Sequence, residues 1–216
     1  MTHPRHGLVL LVAILVLAAT VPGVACYSGL MLIPTTDTVG AKQFGVEFQV
    51  DGSIPTPKAD TYILNTEVGI TDRIEAGVDF DLSKDAEPRV LFNGKYVLLK
   101  RAGGTQALAI GVCGVGEHVK ASPYLVGTQY FGFVRGDLGA IGVDGKTRWF
   151  VGADRAMTDK LTLMADYTSG DENFSSLGAS YQFTDHVGLL AGAQFPNEGG
   201  DTLFTVHLVI NGPWAK

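Results

Sequence analysis

Acidic residues stand an even number of positions apart in two segments of the chain. Glu47 and Asp51 alternate with apolar residues in the first segment, and Glu75, Asp79 and Asp81 do so in the second. Side chains two residues apart point to the same face of a β-strand, so each segment predicts a row of carboxylates on one face. In a pore such a row creates a field that favours some solutes over others.

Basic residues offer partners for these carboxylates. Glu67 extends the acidic set, and Arg89, Lys95 and Arg148 fall on segments that could lie opposite or beside it. One interpretation is the polar wall of a channel. The other is a network of ion pairs that fills a narrow interior, because unpaired charge in a confined space is costly.

The sequence carries no motif for other chemistry. It has no phosphate-binding loop, no CxxC, no HExxH and no GxSxG. His118, His186 and His207 are far apart, so we expect no metal site and no cofactor. His207 with a nearby serine would resemble the Ser/His pair on the outer wall of barrel phospholipases, but no local motif supports it. We therefore expect a protein that is not an enzyme.

Composition limits the class of protein. The chain has 216 residues, of which 46% are hydrophobic and 18% charged, and its net charge is -6. It is too apolar for a disordered chain, and its acidity argues against nucleic-acid binding. Its 28 glycines are about twice the usual share and indicate many bends or β-structure.

The first residues have the order of a secretory signal peptide. An apolar run over 7–19 follows Arg5, and small residues at 23–25 suit cleavage, which predicts a signal peptide at 1–25. We expect a periplasmic segment at 26–42 and one domain at 43–216. Cleavage would make Cys26 the first residue, although lipidation there is not favoured. Cys113 lies in an apolar run, which predicts a buried free thiol.

Period-two alternation continues through the rest of the chain and predicts strands. We expect twelve, near 43–51, 60–69, 74–82, 88–99, 105–114, 122–134, 138–143, 147–153, 161–168, 174–183, 187–195 and 202–210.

The connections alternate in length along the chain. Thr-Asp turns at 71–73, 158–160 and 184–186 each join an even strand to an odd one, and a tight turn is also expected at 135–137. The connections at the other end are mostly longer, except at Asp144-Gly145. Short turns at one end and long loops at the other are typical of outer-membrane barrels, with both termini in the periplasm.

These patterns predict an all-β fold, a transmembrane antiparallel up-and-down β-barrel of about twelve strands. Strands cross lipid only as closed barrels, because every backbone group must be paired there. The apolar face would contact membrane lipid. The lumen-facing candidates are Glu47, Gln49, Glu67, Glu75, Asp79, Lys95, Arg148, Asp166, Ser180 and Gln182.

Two short motifs carry a resemblance to known families. Residues 62–80 resemble strand–turn–strand units of bacterial outer-membrane barrels and are similar to transporter-like barrels of the phenol-degradation meta-pathway type. Residues 29–36 resemble the segment before the first strand of YjbH-like barrels. The resemblance implies export to the outer membrane and insertion by the barrel-assembly machinery. A departure is Trp214, which follows Pro213 and the predicted last strand instead of ending that strand.

The expected function is a small outer-membrane channel or solute-transport barrel with a polar, partly acidic lumen, taking small solutes or ions. The first alternative is a non-conducting structural or envelope-interaction barrel whose lumen is closed by ion pairs. The second is a secreted soluble β-barrel, which would need an apolar interior and a polar exterior.

Overall fold

The computed structural model describes residues 28–83 and 88–214. The predicted signal peptide, its cleavage point and Cys26 lie outside these residues. Within the described part, no helix is long and apolar enough to cross a membrane.

Twelve antiparallel strands form one closed barrel, as the sequence predicts. Each strand pairs with its neighbours in the chain, and β1 pairs with β12 to close the barrel. The strands are β1 (Gln43–Ser53), β2 (Lys58–Thr71), β3 (Ile74–Asp81), β4 (Arg89–Lys100), β5 (Gln106–Val115), β6 (Ser122–Tyr130), β7 (Arg135–Val143), β8 (Lys146–Ala156), β9 (Leu161–Thr168), β10 (Phe174–Gln182), β11 (Val187–Pro196) and β12 (Leu203–Pro213).

The structure corrects the predicted turn between β6 and β7 and the predicted end of β12. The expected turn at 135–137 belongs to β7, where Arg135 pairs with Asp154 of β8, and the connection is 131–134 instead. The last strand continues to Pro213, which pairs with Gln43. A proline is tolerated there because it stands at the strand end. Trp214 therefore follows the last strand directly.

Threonine hydroxyls stabilise the repeated turns. The backbone N–H groups of Lys160 and Leu161 both donate to Oγ1 of Thr158, over 3.2 and 3.0 Å. Thr71 and Thr184 accept from the residues that follow them in the same way. This contact explains why the Thr-Asp pair recurs where even strands meet odd ones.

The two ends of the barrel differ less than predicted. The connections contain two to five residues at the Thr-Asp end and two to seven at the other. Strands β1 and β2 extend into the expected long loop at 52–59 and leave only 54–57 unpaired. The turn at Asp144-Gly145 is tight, as predicted: both residues have positive φ, 50° and 80°, as a two-residue hairpin turn requires.

Apolar side chains cover the outside of the barrel. Leu138 and Leu177 are 63% and 60% exposed, and Phe92, Leu125 and Leu208 also point outward from mid-strand positions. The alternate positions on the same strands are buried in the interior. This arrangement suits a wall between lipid and lumen, and it is the arrangement of a transmembrane barrel.

Candidate functional site: the barrel interior

One side of the inner wall, formed by β1, β2 and β3, is polar and acidic. Glu47, Gln49, Glu67, Glu75 and Asp79 lie on it, and each is at most 5% exposed. Strand alternation aims all five inward while their apolar neighbours point out. The structure thus brings together the five acidic-wall candidates from the first three strands.

Lys95 neutralises part of this wall. It lies directly opposite Glu75 in the β3–β4 register, and its Nζ is 3.0 Å from Oε1 of Glu75. Both side chains are almost completely buried. Removing one partner of such a pair leaves an uncompensated charge, so the two residues hold each other in place.

A row of hydrogen-bonded polar side chains crosses the junction of the first and last strands. Nδ1 of His207 lies 3.0 Å from Oε1 of Glu47, and its Nε2 lies 2.6 Å from Oγ1 of Thr205. Thr205 also donates to Asp51. His207 is therefore on the inner wall beside a threonine, not on the outer wall beside a serine. Sequence reasoning missed Thr205 because its partner on β1 is distant in the chain.

Two acidic residues have no cation beside them. Among the described residues, no Lys, Arg or His lies within ion-pair distance of Glu67 or Asp79. Asp79 accepts a hydrogen bond from Nδ2 of Asn93 at 2.6 Å. Its Oδ1, and Oε2 of Glu67, are buried without a hydrogen-bond partner. This part of the wall therefore holds two buried carboxyl groups that have no ion-pair partner among the described residues.

The rest of the inner wall carries an apolar cluster, which the sequence did not indicate, beside buried polar residues. Phe150 and Val126 are fully buried, and Tyr124, Met164 and Leu190 join them in one cluster. In the predicted ninth strand, Met164 stands among the polar positions of the alternation. It was the one indication in the sequence that the interior contains apolar side chains. The interior is therefore two-sided, and not polar throughout.

The segment before β1 enters the barrel. Met31 and Ile33 are 0% and 1% exposed, and with Leu30 they pack into the apolar cluster of the inner wall. Residues 30–36 of the segment that we expected in the periplasm thus lie within the barrel. Burial of its three large apolar side chains favours the interior over water.

Polar contacts fix the same segment to two sides of the wall. Oδ2 of Asp166 accepts the backbone N–H groups of Met31 and Leu32 at 3.0 and 3.1 Å. On the acidic side, Oε2 of Glu75 accepts the N–H of Val39 at 2.8 Å. Hydrogen bonds to ionised groups are among the stronger ones in proteins.

The remaining predicted residues lie nearer the ends of the barrel. Ser180 and Gln182 line a cavity of about 310 Å³ toward the Thr-Asp end, together with Glu47, Arg135 and Asp154. Arg148 sits at the opposite end, where Arg89 is also exposed.

Arg148 forms a bidentate contact with Glu172, which lies in a loop. Its Nε and Nη2 donate to the two carboxylate oxygens of Glu172 at 2.8 and 3.0 Å. The backbone N–H of Glu172 and then the Arg148 guanidinium lower the pKa of this carboxyl. Arg148 is thus not grouped with the acidic wall.

Cys113 lies on the inner wall of β5 and is 1% exposed. It is disulfide-bonded, which corrects the expectation of a free thiol. Within the described part of the chain, no group of three or more His, Cys, Asp or Glu residues could hold a metal ion.

Comparison with known proteins supports the architecture. No family model and no curated protein matches the sequence. The chain shares the fold of solved porins. One is KdgM porin in complex with disordered oligogalacturonate, with a TM-score of 0.61 and 10% identity over 77% of this chain and 98% of that one. Another is NanC porin, with a TM-score of 0.52 and 9% identity over 77% and 98%.

At these identities the likeness concerns the fold alone. The resemblances to meta-pathway and YjbH-like barrels stay predictions. The porin fold agrees with the apolar exterior of this barrel.

Proposed function

We propose that the protein is an outer-membrane channel or solute-transport barrel that prefers small cations or cationic solutes. The carrying observation is the acidic inner wall of β1–β3, where Glu67 and Asp79 have no cationic partner among the described residues. A narrow lumen concentrates the field of such groups, because its walls screen charge poorly. The proposal assigns the chain no enzymatic role.

The distribution of side chains argues against a soluble barrel. Such a protein would expose polar groups and bury an apolar interior, whereas here large apolar residues are exposed on every side and carboxylates are buried. In water an apolar surface of this extent would aggregate. In a membrane the same surface faces acyl chains, which supports the outer membrane as the location.

The acidic wall also bears on the class of solute. The KdgM structure holds an oligogalacturonate, an acidic sugar chain. Uncompensated carboxylates repel acidic sugars and attract cations, so we do not extend that solute to this chain. The proposal instead places cations beside Glu67 and Asp79.

Planar-bilayer recording under a KCl gradient tests the proposal. The reversal potential should show preference for K⁺ over Cl⁻, and the double variant Glu67→Gln/Asp79→Asn should reduce that preference. Glu198→Gln, in an exposed loop, removes one charge outside the lumen and should leave it unchanged. Preference for Cl⁻ in the wild type would contradict the proposal.

A second candidate function follows from the contents of the lumen. The buried Lys95–Glu75 pair and the inserted segment 28–39 both favour a non-conducting barrel with a structural role. Absence of current from both the wild type and a variant lacking residues 28–39 would favour this candidate and overturn the channel.

A further inference from the structure

The inner wall contains a seat that matches the inserted segment. Gly152 of β8 lies beneath Leu30 and Ile33, and a Cβ at this glycine would overlap the Cδ1 atoms of both. Gly178 and Gly192 lie in the same way beneath Met31. Three inward glycines on β8, β10 and β11 thus leave the volume that three apolar side chains fill.

The seat also recognises the backbone of the segment. Asp166 accepts two consecutive N–H groups from Met31 and Leu32, at 3.0 and 3.1 Å. Across the lumen, Nζ of Lys95 donates to the carbonyl oxygens of Ser28 and Asp37, at 3.2 and 2.6 Å. Buried backbone groups away from the sheet need such partners, and the wall supplies them at matching positions.

The segment is compact enough to obstruct the lumen. Gly29 and Pro34 form a bridge, and the N–H of Leu30 donates to the carbonyl of Ile33 at 3.0 Å. Oγ1 of Thr36 donates to Thr128 of β6 at 2.7 Å. The contacts therefore reach β3, β4, β6 and β9, which lie on different sides of the barrel.

We propose that residues 28–39 are a plug: an internal ligand of the inner wall that closes the channel, and whose displacement opens it. This inference rests on the proposed channel function. The barrel wall acts as the receptor, through the glycine seat and the carboxylate of Asp166. Displacement of the plug from its seat leaves the strand ladder intact, because the strands pair with one another and not with it.

Gly152→Val is the decisive variant. Its side chain fills the space of Leu30 and Ile33, and outside the plug the atom nearest to the added Cβ is Cβ of Asp166, at 3.2 Å. Valine also suits a strand. In a channel without a plug, added bulk on the inner wall could only reduce conductance. If the plug closes the channel, Gly152→Val should raise conductance several-fold.

Two further variants complete the experiment. Gly127→Val makes the same change on the outer face of β6, where the nearest atom is 3.8 Å from the added Cβ, and should behave as wild type. Met31→Asp puts a charge into the apolar seat from the plug side, so it displaces the plug without altering any strand. It keeps the test valid if Gly152→Val does not fold.

Hydrogen–deuterium exchange reports the plug independently of current. The amides of Met31, Leu32 and Val39 should be protected in the wild type and exchange faster in Gly152→Val and Met31→Asp. Faster exchange with higher conductance supports the proposal. Unchanged exchange in both variants would contradict the claim that the glycine seat holds the plug.

The remaining outcomes separate the plug from the channel. Faster exchange with a wild type that already conducts as well as the variants overturns the closing role and leaves the channel intact. Faster exchange with no current in any variant overturns the channel function and, with it, the closing role of the plug. Binding of the plug in the glycine seat would still be supported.

Discussion

Nδ1 of His207 lies 3.0 Å from Oε1 of Glu47, and this contact joins the last strand of the barrel to the first. Both residues are buried, and the same carboxylate oxygen accepts Nδ2 of Asn65 at 2.8 Å. The closing pair of strands is thus held by side chains as well as by its backbone ladder. Strand pairing between chain ends forms the longest loop in the protein, so added contacts matter there.

Glu47→Ala should destabilise the barrel by ~1–3 kcal/mol, because it leaves two buried donors without an acceptor. Glu47→Gln keeps an acceptor and should lose less. The measurement is the free energy of unfolding in urea, in lipid vesicles. Glu198→Ala, on an exposed loop, serves as the control and should match the wild type. An unchanged stability of Glu47→Ala would contradict the contact.

The outer face should tolerate charge according to depth. Leu177 lies in the middle of β10, paired with Ala165 and Ala193, and Leu177→Arg should cost ~2–4 kcal/mol. Leu163 lies near the start of β9 opposite Arg155, close to the interface, where the cost falls to ~0–1 kcal/mol. Folding yield and urea midpoints of the two variants measure the difference. Equal costs would mean that the two positions lie at the same depth.

The strands were predictable because their alternation is local. Leu177, Gly178, Ala179 and Ser180 repeat apolar and small or polar positions within one segment, and lipid and lumen impose that repeat directly. The turns were predictable for a similar reason, since Thr158 contacts residues two and three positions later. The five acidic-wall candidates lie on one inner face because each occupies an inward-pointing position in the alternation of its strand.

The plug and its seat were not predictable, because their contacts are distant in the chain. Met31 and Asp166 are 135 residues apart, and no periodicity marks the segment before β1. On β8, Trp149, Phe150 and Val151 are all apolar, so alternation could not tell which points inward. From the sequence alone Gly152 would be interpreted as a bend, whereas in the structure it provides the space for Leu30 and Ile33.

The Thr-Asp turns should face the periplasm. A cysteine replacing Asp159 should resist a membrane-impermeant thiol reagent in intact cells, and one replacing Glu198 should react, because these positions lie at opposite ends of the barrel. Protein without an added cysteine gives the background. Disrupted cells should label both positions. The reverse pattern in intact cells would invert the barrel in the membrane.

Acid should release the loop between β9 and β10. Glu172, in that loop, has a lowered pKa because its own backbone N–H and the guanidinium of Arg148 stabilise the carboxylate. A lowered pKa in the folded state means that the contact stabilises the loop above the usual glutamate pKa of 4.5 and is lost as the pH falls through the lowered value. The contact is therefore complete at neutral pH and absent in strong acid.

An NMR titration of ¹³C-labelled glutamate carboxyls in detergent micelles measures this directly, with Glu172→Gln to assign the signal. The Glu172 midpoint should lie below the ordinary glutamate value of 4.5. Arg148→Met removes the guanidinium, so the midpoint should move upward but stop short of the ordinary value, because the backbone N–H still donates. A midpoint that is the same with and without Arg148 would show that the bidentate contact does not form in solution.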